Sequence, residues 1–148
     1  MRAPTKVASL STPFGEASNG ALRLAPTIGS PEAIVVTKSS LEGATLADGG
    51  VNPLTGRRLI GATTCRYTLA VMTTAGLSEH SGDWLYDIDL PGKSGIGGGI
   101  VTVAPGKGGL GTFAPRLDEA GNSVKGHLAA AFLSRRLGLD LFASEPEA

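Results

Sequence analysis

Five of the eight residues from 92 to 99 are glycine, in the run Gly92-Lys93-Ser94-Gly95-Ile96-Gly97-Gly98-Gly99. Glycine loses more backbone freedom on folding than any other residue, so a helix does not run through such a stretch. It has to be strand, tight turn, or a place where another group approaches the backbone closely. Glycine is concentrated after Gly76, and Pro105-Gly106-Lys107-Gly108-Gly109 separates two runs of strand-forming character, 100–104 and 110–114. These read as a hairpin.

Helical spacing flanks this region. Cys65, Leu69 and Met72 recur at four and three, which predicts an amphipathic helix over 63–75 with Thr63 or Thr64 as N-cap and Gly76 as its stop. Val124, Leu128, Ala131 and Phe132 share a second helix face, capped by Asn122 or Ser123, with Arg135 and Arg136 at its C-terminal end and Gly138 after it. Between the helices, Trp84, Tyr86, Ile88 and Leu90 alternate with Leu85, Asp87 and Asp89, which predicts a half-exposed strand with Trp84 and Tyr86 as core anchors. Residues 49–56 are a loop that ends a helix containing 44–47, and residues 1–32 show no sustained period and read as loop. Ala33-Ile34-Val35-Val36-Thr37 fits a strand or a buried helix equally. The order is helix, three antiparallel strands, helix: an α+β arrangement.

With 148 residues the chain suits a single core, and 13 basic against 13 acidic residues leave no net field to favour nucleic acid or an anionic membrane. A small neutral or zwitterionic ligand fits better. No apolar run approaches the roughly 18 residues of a spanning helix, and the early basic residues Arg2 and Lys6 precede no signal-type apolar stretch. A lone Cys65 excludes an internal disulfide, and no Asn begins a glycosylation site. The expected setting is cytoplasmic.

Several chemistries fall away on spacing. A phosphate loop ending at Gly92-Lys93-Ser94 requires glycine at Asp87, and a dinucleotide fingerprint in the glycine run requires glycine at Ile100. His80 and His127 lack a spaced carboxylate or cysteine, which argues against zinc. Cys65 lies on an apolar helix face and reads as core, and Glu79 and Asp83 read as solvated charges. What remains is Lys93-Ser94-Gly95, the form of the Lys-Ser/Thr-Gly element of active-serine enzymes, followed by glycines that expose peptide N–H groups as an oxyanion hole demands. A kinked strand explains the glycines equally well.

The context of that tripeptide resembles the serine-dependent glutaminase family, within the β-lactamase and penicillin-binding-protein-like superfamily. Leu90-Pro91-Gly92-Lys93-Ser94-Gly95-Ile96-Gly97-Gly98-Gly99-Ile100 is similar to the family segment L-P-A-K-S-G-V-G-G-G-I. In the family's order, residues 44–56 resemble A-T-L-A-N-G-G-V-N-P-x-T-G, residues 81–86 resemble S-G-x-F/W-A-Y, and residues 115–123 resemble P-x-L-D-x-x-G-N-S. The resemblance spans about residues 44–142, so the expected division is a weakly matching segment 1–43 and a glutaminase-like C-terminal lobe 44–148.

The resemblance implies a partial β-lactamase/transpeptidase-like lobe, hydrolysis of L-glutamine to L-glutamate and ammonia, and no metal or cofactor, while apolar surface exposed by loss of a helical segment favours a homo-oligomer. It implies that Lys93, Ser94 and Gly95 line the substrate site, with Ile96 giving a backbone oxyanion donor. Ser78 stands where the family has the tyrosine of G-M/L-Y, and Asp89 where it has glycine. In the family a long, mostly helical segment lies between the counterparts of 33–37 and 44, and its loss implies loss of the glutamate, asparagine and tyrosine that help bind substrate; the nucleophile is a separate absence. Ser-x-x-Lys needs serine three residues before lysine. Those positions, for Lys6, Lys38, Lys93, Lys107 and Lys125, are Ala3, Val35, Leu90, Ala104 and Asn122. No catalytic residue is identified and impaired hydrolysis is expected. The alternative is a non-catalytic interaction module that self-associates or docks on an intact paralogue.

Overall fold

The computed structural model describes residues 22–24, 34–36, 39–139 and 141–142. Its elements are β1 (Leu22–Leu24), β2 (Ile34–Val36), α1 (Ser39–Ala47), α2 (Ala62–Ala75), a 3-10 turn (Ser78–His80), α3 (Ser81–Ile88), β3 (Gly92–Gly95), β4 (Gly99–Ala104), β5 (Gly108–Phe113) and α4 (Val124–Leu137). β3, β4 and β5 form an antiparallel sheet in that order. β1 and β2 form a separate antiparallel pair, with β2 lying against β5. Within the run 33–37, Ile34–Val36 is therefore strand, and Ala33 and Thr37 lie outside the described residues. The loop expected over 1–32 is interrupted by β1 and otherwise lies outside the described residues.

Register assigns the two faces of the sheet. Lys93 pairs with Val101 and Val101 with Gly111, while Ser94 pairs with Ile100 and Ile100 with Thr112. Alternate residues point to opposite sides, so Val101 and Val103 look one way, and Ile100, Thr102 and Ala104 the other. On the first side Val103 packs with Ala47 of α1 and Met72 of α2, with Leu46, Leu69 and Val101 around them. On the second, Ile100 and Ala104 pack with Leu77, Trp84, Ile88, Leu90 and Ala130. The fold is a partial β-lactamase/transpeptidase-like lobe, a sheet held between α1 with α2 and α3 with α4.

α1 crosses β5 at backbone distance: a Cβ on Gly109 would lie 2.3 Å from the carbonyl carbon of Gly43. The hairpin between β4 and β5 is as expected, its turn closed by Lys107 N–H on the Ala104 carbonyl at 2.9 Å. α2 also matches expectation, except that its N-cap is Gly61 and no side chain caps it.

Two expectations are corrected. Residues 81–88 form helix, not strand. Trp84 and Ile88, four apart, are buried with Ser81, whereas Tyr86 is 87% exposed and anchors nothing. The period-two pattern coincided with a period of four, and the core took the latter. The stripe expected to bury on α4 is likewise exposed, with Leu128 at 64% and Phe132 at 66%. The buried residues are Gly126, Ala129, Ala130 and Ser134, because the sheet comes too close for larger groups. A Cβ on Gly126 would lie 2.8 Å from Thr112 Oγ1.

Candidate functional site

The glycine run folds as the end of β3 and a turn into β4. Gly98 N–H donates to the Gly95 carbonyl at 2.9 Å, and Gly98 has φ +94, with a Cβ there only 2.5 Å from the Ala114 oxygen. Ile96 projects from this turn at 89% exposure, and none of the turn's carbonyls takes its N–H. A peptide N–H without a carbonyl partner in a tight turn is able to bind developing negative charge.

Gly92 is glycine because Trp84 lies against it: a Cβ would be 2.5 Å from the indole ring. The indole N–H in turn donates to the Leu90 carbonyl at 2.8 Å, fixing the approach to β3. Lys93 is exposed and its ammonium reaches the Ser94 carbonyl. The Ser94 N–H donates to the Gly76 carbonyl at 3.0 Å, joining the edge of β3 to the end of α2. The chain then reaches Ser78, exposed and at φ +55, a strained setting for a residue with a side chain. Lys93, Ser94, Gly95 and Ile96 are thus contiguous, and Ser78 belongs to the loop that Ser94 tethers two residues earlier.

That loop has supports that sequence reasoning missed. Ser81 Oγ accepts from the Leu77 N–H at 3.0 Å and donates to the Ser78 carbonyl at 2.8 Å. Asn122, 1% exposed, donates from Nδ2 to the Leu77 carbonyl at 3.3 Å. His80 Nδ1 lies 3.4 Å from Asp118 Oδ2. Burial pushes the Asp118 carboxyl up, but the Asn122 N–H, His80 and the Ala120 N–H outweigh it and hold it below the usual value. The sequence signal was the Asp118-to-Ser123 stretch, read there as part of a family motif with Asn122 or Ser123 as the helix cap. The structure divides it: Ser123 is the cap, accepting from Gly126 N–H, and Asn122 the brace.

Each histidine has a carboxylate partner from a distant part of the chain, His80 with Asp118 and His127 with Asp87, whose Oδ2 lies 3.1 Å from His127 Nε2. Among the described residues no three His, Cys, Asp or Glu side chains group as metal ligands. Cys65 is buried, its thiol pushed up by burial against the lowering effect of Arg58, and it donates to the Leu46 carbonyl at 3.1 Å. It is a core residue. Glu79 and Asp83 are both exposed, Asp83 on α3 rather than in a loop.

An antiparallel sheet between helical layers, ending in a Lys-Ser-Gly edge strand, defines a lobe of the β-lactamase and penicillin-binding-protein-like class. Comparison with known proteins narrows this. The family model described as Glutaminase matches residues 32–142. Glutaminase 2 of Yersinia pestis is 77% identical over 104 residues, covering 70% of this chain and 31% of the relative. Glutaminase 1 of Escherichia coli K12 is 53% identical over 100 residues, covering 68% and 32%. Of solved structures, the probable glutaminase YbaS superposes with TM-score 0.71 at 48% identity, covering 74% of this chain and 36% of that one. Bacillus subtilis glutaminase YbgJ, in covalent complex with 5-oxo-L-norleucine, gives TM-score 0.67 at 30% identity, covering 70% and 38%. This chain belongs to the glutaminase family. It spans about a third of the length of the curated relatives it matches.

Proposed function

We propose that this chain is the strand-and-turn lobe of a glutaminase site, for the hydrolysis of L-glutamine to L-glutamate and ammonia, and that these 148 residues by themselves do not complete the reaction. The observation that carries the reading is the Lys93-Ser94-Gly95 edge running into a turn none of whose carbonyls takes the Ile96 N–H. In the chemistry proposed, a serine hydroxyl attacks the side-chain amide carbon of glutamine. The C–N bond breaks, ammonia leaves with the hydroxyl proton, and water then splits the acyl-serine ester to give glutamate. Ile96 N–H holds the amide oxygen as its charge grows, while Lys93, Ser94, Gly95 and Ser78 form the wall around the substrate. The missing part is the serine, since none of the residues three before a lysine is one. Loss of the nucleophile from such a set leaves only the residual effect of binding and oxyanion contacts.

The test is ammonia release from L-glutamine by the purified chain beside its Lys93→Ala variant. No release above the variant is expected, and Lys93-dependent release would overturn the proposed impairment. A second reading, a non-catalytic module that forms homo-oligomers or docks on an intact paralogue, is favoured by Tyr67, Leu128 and Phe132 standing largely exposed. A mass that stays monomeric at high concentration counts against the homo-oligomer. No helix among the described residues is long and apolar enough to cross a membrane. The single buried cysteine fits a cytoplasmic setting.

A further inference from the structure

We propose that His127 is a proton-responsive positioning residue for the Lys93-Ser94 edge, acting through Trp84, so that the charge on one imidazole sets how firmly α4 and α3 hold β3. The coupling stands on contacts within this chain, and only its bearing on a substrate rests on the functional reading above. His127 Nε2 lies 3.1 Å from Asp87 Oδ2, which joins α4 to α3. The same ring meets the indole of Trp84 in a T-shaped contact, with centroids 5.3 Å apart and planes at 72°. Trp84 is 1% exposed and has little room to absorb a displacement. Its N–H is held on the Leu90 carbonyl, and a Cβ on Gly92 would lie 2.5 Å from the ring. Gly92 is also pressed against the end of α2, since a Cβ on Gly76 would lie 1.7 Å from the Gly92 oxygen. The residue before Lys93 is thus gripped by both.

Protonation changes the contact with Asp87 in a defined way. A neutral imidazole donates to the carboxylate only in the tautomer that carries its hydrogen on Nε2, whereas the cation has a hydrogen on both nitrogens. Both partners then carry charge, which shortens and strengthens the bond. A shift of the ring toward Asp87 is felt by the indole packed on it, and close-packed interiors pass such shifts on. β4 and β5, which pack against α4, carry no titratable side chain, and α3 carries Asp83, Tyr86 and Asp87. Of these, Asp87 is the partner that the ring meets. α4 itself carries Lys125, Arg135 and Arg136, and the loop before it carries Arg116, Asp118 and Glu119, of which Asp118 is paired with His80. Imidazoles change charge between about pH 5 and 8, so the seam responds where ordinary carboxylates, lysines and arginines keep theirs.

The chain has one tryptophan and two histidines, which makes the test specific. Trp84 emission is followed from about pH 5 to 8, with amide and imidazole proton signals recorded by NMR on the same samples. A single step in emission is expected, with the same midpoint as the His127 ring and the Gly92, Lys93 and Ser94 amides. His127→Gln should abolish the step and hold those amides still, while His80→Gln, which removes the other histidine, should keep both. Asp87→Asn leaves an imidazole beside Trp84 without its anion. The three amide shifts should then fall about twofold or more while the ring still titrates. That substitution, at a half-exposed position, carries the test if His127→Gln does not fold. Flat emission in the natural chain, a step that survives His127→Gln or disappears with His80→Gln, or amides that do not follow the ring would overturn the proposal. Amide shifts undiminished in Asp87→Asn would do the same. No glutamine enters the experiment, so its failure leaves the amidohydrolase reading standing, and failure of that reading leaves the coupling standing.

Discussion

Ser123 shows how much a single side chain settles in this lobe. Fully buried, it accepts from the Gly126 N–H at 3.1 Å and donates to the Ala114 carbonyl at 2.8 Å, joining the start of α4 to the end of β5. Ser123→Ala removes the cap and strands a buried carbonyl, so urea denaturation should show a loss of about 1–2 kcal/mol. Asp118 gives a pH dependence. Its pKa is lower folded than unfolded, so its stabilisation is complete above the ordinary carboxylate value of about 3.9 and is lost as pH falls through the folded value. The stability gap between the natural chain and Asp118→Asn should be full above about pH 5 and narrow as pH falls below about 4. Much at this scale was legible: Lys93 to Ile96 are contiguous in sequence, so a motif finds them together. Asn122 and His80 were not read as supports of the Ser78 loop, because their partners lie 45 and 38 residues away and pairing at such separations leaves no local signature.

The elements repeat the lesson. α2, α4 and the β4–β5 hairpin were readable because caps, glycine stops and turn residues act within a few positions. α3 was not, because Trp84, Tyr86, Ile88 and Leu90 satisfy two periods and only the contacts of Trp84 and Ile88 with the sheet decide between them. The helix ends at Asp89, left-handed at φ 61, with its N–H on the Leu85 carbonyl. Asp89→Gly should relieve that strain and stabilise the chain by about 1 kcal/mol, seen as a raised urea midpoint with unchanged slope. Gly109→Ala should act oppositely, because its methyl would collide with the α1 backbone rather than with a side chain able to turn away. A loss of about 2–3 kcal/mol is expected from the same measurement, the upper range of overpacking.

At the scale of the whole molecule, two buried clusters on opposite faces of the sheet coexist with exposed apolar groups on both helical layers. Phe132, 66% exposed on α4, contributes little to the core, so Phe132→Lys should change stability by less than about 0.5 kcal/mol. If this stripe drives self-association, the same substitution should lower the mass measured at high concentration. The sequence by itself determined what depends on near neighbours: the glycine run that excludes helix, the hairpin, two of the helices, the Lys-Ser-Gly edge with its family likeness, and the absence of Ser-x-x-Lys. Tertiary structure alone decided which period won in α3, which face of α4 is buried, and that Ser94 ties the Ser78 loop to the sheet. Those outcomes depend on which groups meet across the folded sheet, where burial is set by distant partners and by close backbone approach rather than by the spacing of residues along the chain.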